Sequence, residues 1–109
     1  MQGGPGCSGM MSLFYETGPY KVLQNLTLVE NPFSWTSKYS MLYLDSPVFT
    51  GFSYANNNSS YVTNEQQIAE DLYATVSLFL KRFPNYSKTD FYIFGESMLT
   101  FFFYSFSIF

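Results

Sequence analysis

The sequence contains no histidine and only one cysteine, Cys7, among its 109 residues. A lone cysteine cannot close a disulfide within the chain, and without histidine or a cysteine pair we expect no metal site and no cofactor. Charged residues make up 12% of the chain, about half the share of an ordinary soluble domain. The net charge of −3 comes without a basic cluster, so we expect no nucleic-acid partner.

Aromatic residues, in contrast, are abundant, at 22% with 13 Phe and 10 Tyr. The length allows one domain, and the composition is typical of the interior of a larger protein. Met1 is followed at once by a glycine-rich stretch, so these residues contain no signal peptide, and we expect a segment to be missing at the N-terminus. Cys7 is then a buried thiol, an inert bystander or half of a disulfide whose partner lies outside the chain.

The sequence also contains four Asn-x-Ser/Thr tripeptides, which are acceptors for N-glycosylation in secreted proteins. They favour a secretory route and predict a glycoprotein. Their asparagines are Asn25, Asn57, Asn58 and Asn85.

The longest element predicted is a helix from about Asn64 to Phe83, ended by Pro84. Its apolar residues recur at three- and four-residue steps, and Thr63 with Gln66 matches a capping box. The apolar runs 39–44 and 91–94 are typical of buried strands. The order strand, helix, strand predicts an α/β fold with a parallel βαβ unit that forms only part of a sheet.

Shorter elements are predicted around this unit. The segment 10–15 begins a short helix that Gly18 and Pro19 stop, and Leu23 to Val29 forms a strand or extended segment. We expect Trp35 to be a packing residue and 56–60 to be an exposed polar loop.

The last twelve residues, 98–109, contain no charge, glycine or proline and are rich in phenylalanine. They are too short to span a membrane, which needs about 20 apolar residues, and no helical or strand period organises them. We therefore divide the chain into residues 1–97 and an aberrant tail, for which translated non-coding sequence is our hypothesis.

Two short stretches have the composition of catalytic loops. Gly95-Glu96-Ser97 follows the apolar run 91–94, as at the nucleophile turn of α/β-hydrolases, although an ordinary strand end fits the same tripeptide. The glycine-rich stretch 3–9 fits a phosphate loop, a plain linker or a loop that presents N–H groups to an oxyanion. The phosphate interpretation is the weakest, because no Gly-Lys-Ser/Thr follows.

Taken together and in order, several stretches resemble the serine carboxypeptidases of the α/β-hydrolase fold, and most closely their vitellogenic-like branch. The resemblance covers 2–97 and rests on six segments: 2–8, 13–19, 31–35, 42–48, 50–55 and 90–97.

The resemblance assigns roles to individual residues. It implies that Ser97 is the acylating nucleophile and that the backbone N–H groups of Gly4 and Met98 form the oxyanion hole. It places Gln2, Glu16 and Glu96 where the family binds the substrate's C-terminal carboxylate. We expect the two carboxyls to share a proton, which suits an anionic substrate end and activity on the acidic side; a merely solvated pair is the alternative.

The chain also departs from the family pattern. Leu99 and Phe49 stand where the family usually has glycine or alanine, and the triad Asp and His are absent from the chain. We therefore expect the chain alone to be inactive. The function implied is release of C-terminal residues from peptides, in a lysosomal, vacuolar or secreted setting. An acyltransferase on the same scaffold and a non-catalytic truncated product remain alternatives, and nothing indicates the oligomeric state.

Overall fold

The computed structural model describes residues 1–97. Its longest element is helix α1 (Glu65–Arg82). A short hairpin precedes it, made of strands β1 (Tyr20–Val22) and β2 (Leu28–Glu30). Single helical turns complete the fold: a π-type turn at Ser12–Glu16 and 3₁₀ turns at Trp35–Ser37, Asn58–Ser60 and Pro84–Lys88.

The two strands form an antiparallel pair in which Tyr20 lies opposite Glu30 and Val22 opposite Leu28. The prediction of one extended segment over 23–29 is therefore wrong, because the chain reverses within it. Leu26, at φ +63°, occupies the turn, and Leu23 N–H donates to Thr27 O at 2.9 Å. No glycine marks this turn in the sequence, so the usual hairpin signal was missing.

A helical segment follows the glycine-rich stretch, as predicted, but its last part is wound as a π-turn. Thr17 N–H donates to Ser12 O at 2.9 Å, which is an i to i−5 hydrogen bond. A Cβ at Gly18 would overlap the backbone of Leu13, so only glycine fits where this turn ends. Single π-turns of this kind are frequent at functional sites.

Helix α1 confirms the prediction from the apolar period, but its cap lies one residue later than expected. Asn64, not Thr63, is the N-cap, and its side chain accepts a hydrogen bond from Gln67 N–H at 3.0 Å. The Gln67 side chain in turn accepts from Thr63 N–H at 2.9 Å. Both residues are good caps by type; Asn64 has the extended backbone that the position requires.

The buried apolar residues of 1–97 lie on one face of α1 and are Ile68, Ala69, Leu72 and Val76. Met1 and Val62 pack against Ile68. Phe83, which the pattern placed on the same face, is half exposed; its ring packs instead against Phe79, with centroids 5.1 Å apart. No helix in 1–97 combines the length and the apolar character needed to cross a membrane.

The two strands predicted at 39–44 and 91–94 are not formed as strands among the described residues. A strand needs a neighbour that supplies ladder hydrogen bonds. Within 1–97, such a neighbour is present only for the second segment and only for two hydrogen bonds. Met1 N–H donates to Phe94 O at 2.8 Å and Met1 O accepts from Glu96 N–H at 3.2 Å. These two bonds flank Gly95 as in a parallel pair, and they place Met1, which precedes the glycine-rich stretch, beside the segment that leads to Ser97.

Candidate active site

The glycine-rich stretch 3–9, hereafter the glycine loop, folds back on itself, with its ends Gly3 and Gly9 buried and residues 4–7 exposed. Cys7 N–H donates to Gly3 O at 3.2 Å. Gly4 has φ +122° and Gly6 φ +112°, which are conformations that only glycine adopts without strain. A Cβ on Gly4 would lie 3.1 Å from Gly6 N, so a larger residue would be crowded there as well as strained by φ.

Gln2 and Glu16, which the resemblance places together, are in direct contact. The Gln2 side-chain amide lies 2.9 Å from each carboxylate oxygen of Glu16 and 2.8 Å from Ser12 Oγ. Ser12 Oγ donates to the same carboxylate at 2.9 Å. The π-turn makes this arrangement, because it brings Ser12 and Glu16 to one face within a single turn.

Ser12 was not predicted as a site residue. Its side chain is buried and bonded to both predicted partners, yet a serine inside a short helical segment carries no motif. Asn31, which is buried, stabilises the end of the same π-turn. Its side-chain amide donates hydrogen bonds to Glu16 O at 3.2 Å and to Gly18 O at 2.9 Å.

Ser97 lies at the end of the segment that pairs with Met1. It has φ +54° and is exposed. A left-handed serine is uncommon, and such conformations concentrate at functional sites; the nucleophile turn of α/β-hydrolases is a strained strand-to-helix corner. Met98, the second predicted oxyanion donor, lies outside the described residues.

Glu96 approaches the Gln2–Glu16 pair through its backbone. Its N–H donates to Met1 O, and Met1 is the neighbour of Gln2 in the chain. Its side chain is exposed, and within 1–97 no hydrogen bond joins the carboxyl groups of Glu16 and Glu96. The structure thus brings together two of the three residues expected to bind a carboxylate, with the backbone of the third nearby.

A second carboxylate, Asp45, lies against the other end of the glycine loop and was not predicted either. Its side chain accepts hydrogen bonds from Ser8 Oγ and Gly9 N–H, both at 2.6 Å, and from Phe52 N–H at 2.8 Å. Partial burial raises the pKa of Asp45, but the bonds from Phe52 N–H, Ser8 and Gly9 N–H outweigh it and hold the pKa below its ordinary value.

Phe49, a departure from the family pattern, adopts the backbone conformation that glycine favours. Its φ is +70°, and its ring stacks on that of Tyr61 with centroids 6.1 Å apart. These rings, with Pro5 and Gly6, line an open groove of about 590 Å³. Phenylalanine is thus held in a strained backbone position by a ring contact that glycine does not make.

The remaining predicted residues are exposed. Cys7 is a free, exposed thiol, so the alternative of a buried thiol is wrong. All four glycosylation acceptors are exposed. The side-chain oxygen of Asn25 accepts from the Thr27 hydroxyl at 2.7 Å, and that of Asn57 from the Ser59 hydroxyl at 2.6 Å. Among residues 1–97 no group of three or more His, Cys, Asp and Glu side chains is arranged to hold a metal ion.

Comparison with known proteins agrees with this geometry. The family model described as serine carboxypeptidase matches residues 1–98. A serine carboxypeptidase of Dictyostelium discoideum is 53% identical over 97 residues, which are 89% of this chain and 23% of the relative. The human protein named "Probable serine carboxypeptidase CPVL" is 50% identical over 97 residues, again 89% of this chain and 20% of the relative.

A solved structure gives the same result. The chain superimposes on Kex1(delta)p, a prohormone-processing carboxypeptidase from Saccharomyces cerevisiae, with a TM-score of 0.89 and 28% identity, over 98% of this chain and 24% of that one. This chain therefore spans only a fifth to a quarter of the length of the relatives it matches. On this evidence the chain belongs to the serine carboxypeptidase family and has the fold of part of such an enzyme.

Proposed function

We propose that this chain is the nucleophile-bearing part of a serine carboxypeptidase, an enzyme that removes single residues from the C-termini of peptides. One observation carries the proposal: Ser97 has a left-handed backbone at the end of a segment whose residues Phe94 and Glu96 are bonded to Met1, the residue that precedes Gln2. A strained serine, a loop of exposed backbone and a Gln–Glu pair are the parts that such a reaction needs.

In the proposed reaction Ser97 Oγ attacks the carbonyl carbon of the last peptide bond and gives its proton to a base. The N–H groups of Gly4 and Met98 stabilise the negative charge on the carbonyl oxygen. The C–N bond then breaks, the leaving amino acid takes up the proton, and water hydrolyses the ester on Ser97. The chain contains no histidine, so residues 1–109 do not supply a histidine base.

Gln2, Glu16 and Glu96 are proposed to bind the terminal carboxylate of the peptide. Two carboxyls that share a site with an anionic ligand do not both ionise easily, so the pair keeps one proton. The contacts of the Glu16 carboxylate with Gln2 and Ser12 support a place for Glu16 in this site. We expect Glu96→Gln to shift the acidic limb of the pH–rate profile; an unchanged profile would contradict the shared proton.

Activity is best tested in a chimera in which residues 1–97 replace the matching segment of the Dictyostelium relative. We expect the chimera to hydrolyse an N-blocked dipeptide with a free C-terminal carboxylate and to leave the same dipeptide amidated at its C-terminus intact. Ser97→Ala should lower kcat by at least about 10³-fold, whereas Ser77→Ala, an exposed serine of α1, should not change it. Equal hydrolysis of acid and amide would argue against a carboxypeptidase.

The same chimera separates the proposed hydrolase from an acyltransferase. With an ester acyl donor and an alcohol acceptor, a hydrolase releases mainly the acid, whereas an acyltransferase forms mainly the new ester. The isolated chain of 109 residues, which lacks a histidine base, should turn over neither substrate.

The other untested features belong to the same proposal. Residues 98–109 are proposed to be a tail outside the family pattern, in which Met98 contributes only its backbone N–H to the site. The segments 39–44 and 91–94 are proposed to be strands of the complete parallel sheet. The exposed Cys7 is proposed to pair with a cysteine outside the chain, which thiol titration of the chimera before and after reduction would detect.

Glycosylation and a lysosomal, vacuolar or secreted location are proposed from the four exposed acceptors at 25, 57, 58 and 85. Expression through the secretory pathway should give a protein that loses mass on treatment with peptide-N-glycosidase. The individual variants Asn25→Gln, Asn57→Gln, Asn58→Gln and Asn85→Gln then show which acceptors are used; no loss of mass would contradict the proposal.

A further inference from the structure

We infer that Asp45 is a positioning residue that fixes the glycine loop, and with it the backbone N–H of Gly4, in the conformation needed for the oxyanion hole. The inference rests on the proposed function for the role of Gly4. Nothing in the sequence pattern assigned Asp45 a part in the site, and it reaches the loop only through the fold.

Asp45 holds the C-terminal end of the loop through two hydrogen bonds to one carboxylate oxygen. Ser8 Oγ and Gly9 N–H both donate to Asp45 Oδ1 at 2.6 Å. Hydrogen bonds to an ionised acceptor are shorter and about twice as strong as neutral ones. Ser8 Oγ also accepts a hydrogen bond from Met10 N–H at 3.1 Å. The serine bonded to Asp45 is therefore also bonded to the start of the helical segment that carries Glu16.

The other carboxylate oxygen ties the same residue to a second loop. Phe52 N–H donates to Asp45 Oδ2 at 2.8 Å, and Ser53 Oγ donates to Asp45 O at 2.6 Å. A Cβ on Gly51 would overlap this carboxylate and would lie 2.7 Å from Ser8 Oγ. The carboxylate of Asp45 therefore lies between the end of the glycine loop and the loop at 51–53. A side chain at position 51 would not fit between them.

Gly4 itself does not touch Asp45, so the effect passes through the loop. The loop is held at its start by Gln2, which bonds to Ser12 and Glu16, and at its end by Asp45. Between these anchors the only backbone hydrogen bond within the described loop is that from Cys7 N–H to Gly3 O. Without the Asp45 carboxylate, the end of the loop would keep only the backbone hydrogen bonds that Ser8 O and Gly9 O accept from Met11 and Leu13 N–H. We expect Gly4 then to sample other conformations.

The kinetic test uses three variants of the chimera. Asp45→Ala removes both side-chain acceptors and should lower kcat by about 10- to 100-fold, below the 10²–10³ typical of deleting an oxyanion donor outright, with KM changed less than about two-fold. Asp45→Asn keeps one oxygen, which we expect to face the two donors Ser8 and Gly9; it should recover kcat to within about five-fold. Ser53→Ala, which loses only the bond to the Asp45 backbone, should leave kcat unchanged.

Inhibitors separate positioning from general loss of structure. An N-blocked amino aldehyde forms a tetrahedral adduct with the serine and needs the oxyanion hole, whereas a free amino acid product occupies only the carboxylate site. Asp45→Ala should raise the inhibition constant of the aldehyde by about the factor by which kcat falls. The inhibition constant of the free amino acid should stay within about two-fold of that of the unmutated chimera. Equal weakening of both ligands, an unchanged kcat in Asp45→Ala, or an equal loss in Ser53→Ala would overturn the inference.

Hydrogen–deuterium exchange tests the loop without relying on activity. In Asp45→Ala the amides of residues 3–9 should exchange at least about ten-fold faster, while in Ser53→Ala faster exchange should be confined to residues 47–54. An unmutated chimera that hydrolyses nothing would refute the proposed function, yet the exchange result would still decide whether Asp45 fixes the loop. Unchanged exchange of residues 3–9 in Asp45→Ala would refute that role, whatever the activity.

Discussion

The loop region (residues 1–54) and the helix region (residues 64–88) bury different kinds of side chain. All buried polar residues of the described chain lie in the loop region and are Gln2, Ser12, Asn31, Ser34 and Thr50. All buried apolar residues lie on α1. The residues proposed for catalysis are therefore organised mainly by specific hydrogen bonds, and the helix beside them by apolar packing.

This difference explains how each region tolerates change. Apolar packing is non-directional and roughly proportional to the area buried, so α1 depends on the size of a few side chains. A hydrogen-bonded network depends on donor and acceptor geometry, and a buried group left without its partner costs about 1–3 kcal/mol. Every buried side-chain nitrogen and oxygen within residues 1–97 has a partner. The predictions below test each side of this contrast in the chimera.

The largest effect is expected from the apolar face of α1. Leu72 is 3% exposed, and Leu72→Ala should lower the free energy of unfolding by about 2–5 kcal/mol, because it removes apolar contacts and leaves a cavity. Ser77 lies on the same helix but is polar and exposed, so Ser77→Ala should change stability by less than about 0.5 kcal/mol. Urea denaturation measures both; similar losses would show that α1 has no buried face.

The next effect is expected from the polar network. Ser12→Ala removes a hydroxyl bonded to both Gln2 and Glu16 and should lower the free energy of unfolding by about 1.5–3 kcal/mol, the range for bonds to charged groups. Ser87 also donates a hydrogen bond, to Pro84 O, but is exposed; Ser87→Ala should stay within about 0.5 kcal/mol. If the two serines behave alike, the contrast between buried and exposed hydrogen bonds fails.

The helix region was predicted well because its signal is periodic. Apolar residues at three- and four-residue steps ended by Pro84 define a helix whatever surrounds it. The cap was misplaced by one residue because Thr63 and Asn64 are both suitable by type. Only the structure shows that Asn64 has the extended backbone and accepts from Gln67 N–H.

The loop region was predicted only where a family motif marked it. Gln2, Glu16 and Gly4 were given roles by the resemblance. Ser12 lies in none of its six segments, and Asp45 lies in one of them, 42–48, but was given no role. Asp45 directly follows the apolar run 39–44, and its partners Ser8 and Gly9 lie far away in sequence. No local pattern encodes such a contact, because it arises only when distant loops come together.

The predicted parallel strands show another reason why the fold could not be fully predicted from the sequence. The apolar runs 39–44 and 91–94 have the composition of buried strands, but ladder hydrogen bonds require neighbours, and the chain spans only 23% of its Dictyostelium relative. Large apolar side chains remain on the surface for the same reason. Phe33 is 85% exposed and Phe52 83%, as expected of faces that pack against further chain.

A smaller effect is expected at the helix cap. Asn64→Ala removes the side-chain oxygen that accepts from Gln67 N–H and should lower the free energy of unfolding by about 1 kcal/mol. Thr63→Ala should lower it by less than about 0.5 kcal/mol, because Gln67 accepts mainly from the Thr63 backbone, which the substitution retains. A larger loss of stability in Thr63→Ala than in Asn64→Ala would show that Thr63, not Asn64, is the N-cap that stabilises the helix.

The smallest effect is the acid sensitivity that one carboxylate contributes. The folded pKa of Asp45 is lowered, whereas in the unfolded chain it is near the ordinary value of about 3.9. Asp45 therefore stabilises the fold above that value, and the contribution is lost as the pH falls through the lower, folded pKa. Comparing urea denaturation at pH 6 and pH 3 should show a smaller difference in stability between the unmutated protein and Asp45→Asn at pH 3. A difference that stays constant with pH would mean that the loops close around a neutral acceptor as well as around a charged one. The loop region would then depend on hydrogen-bond geometry alone.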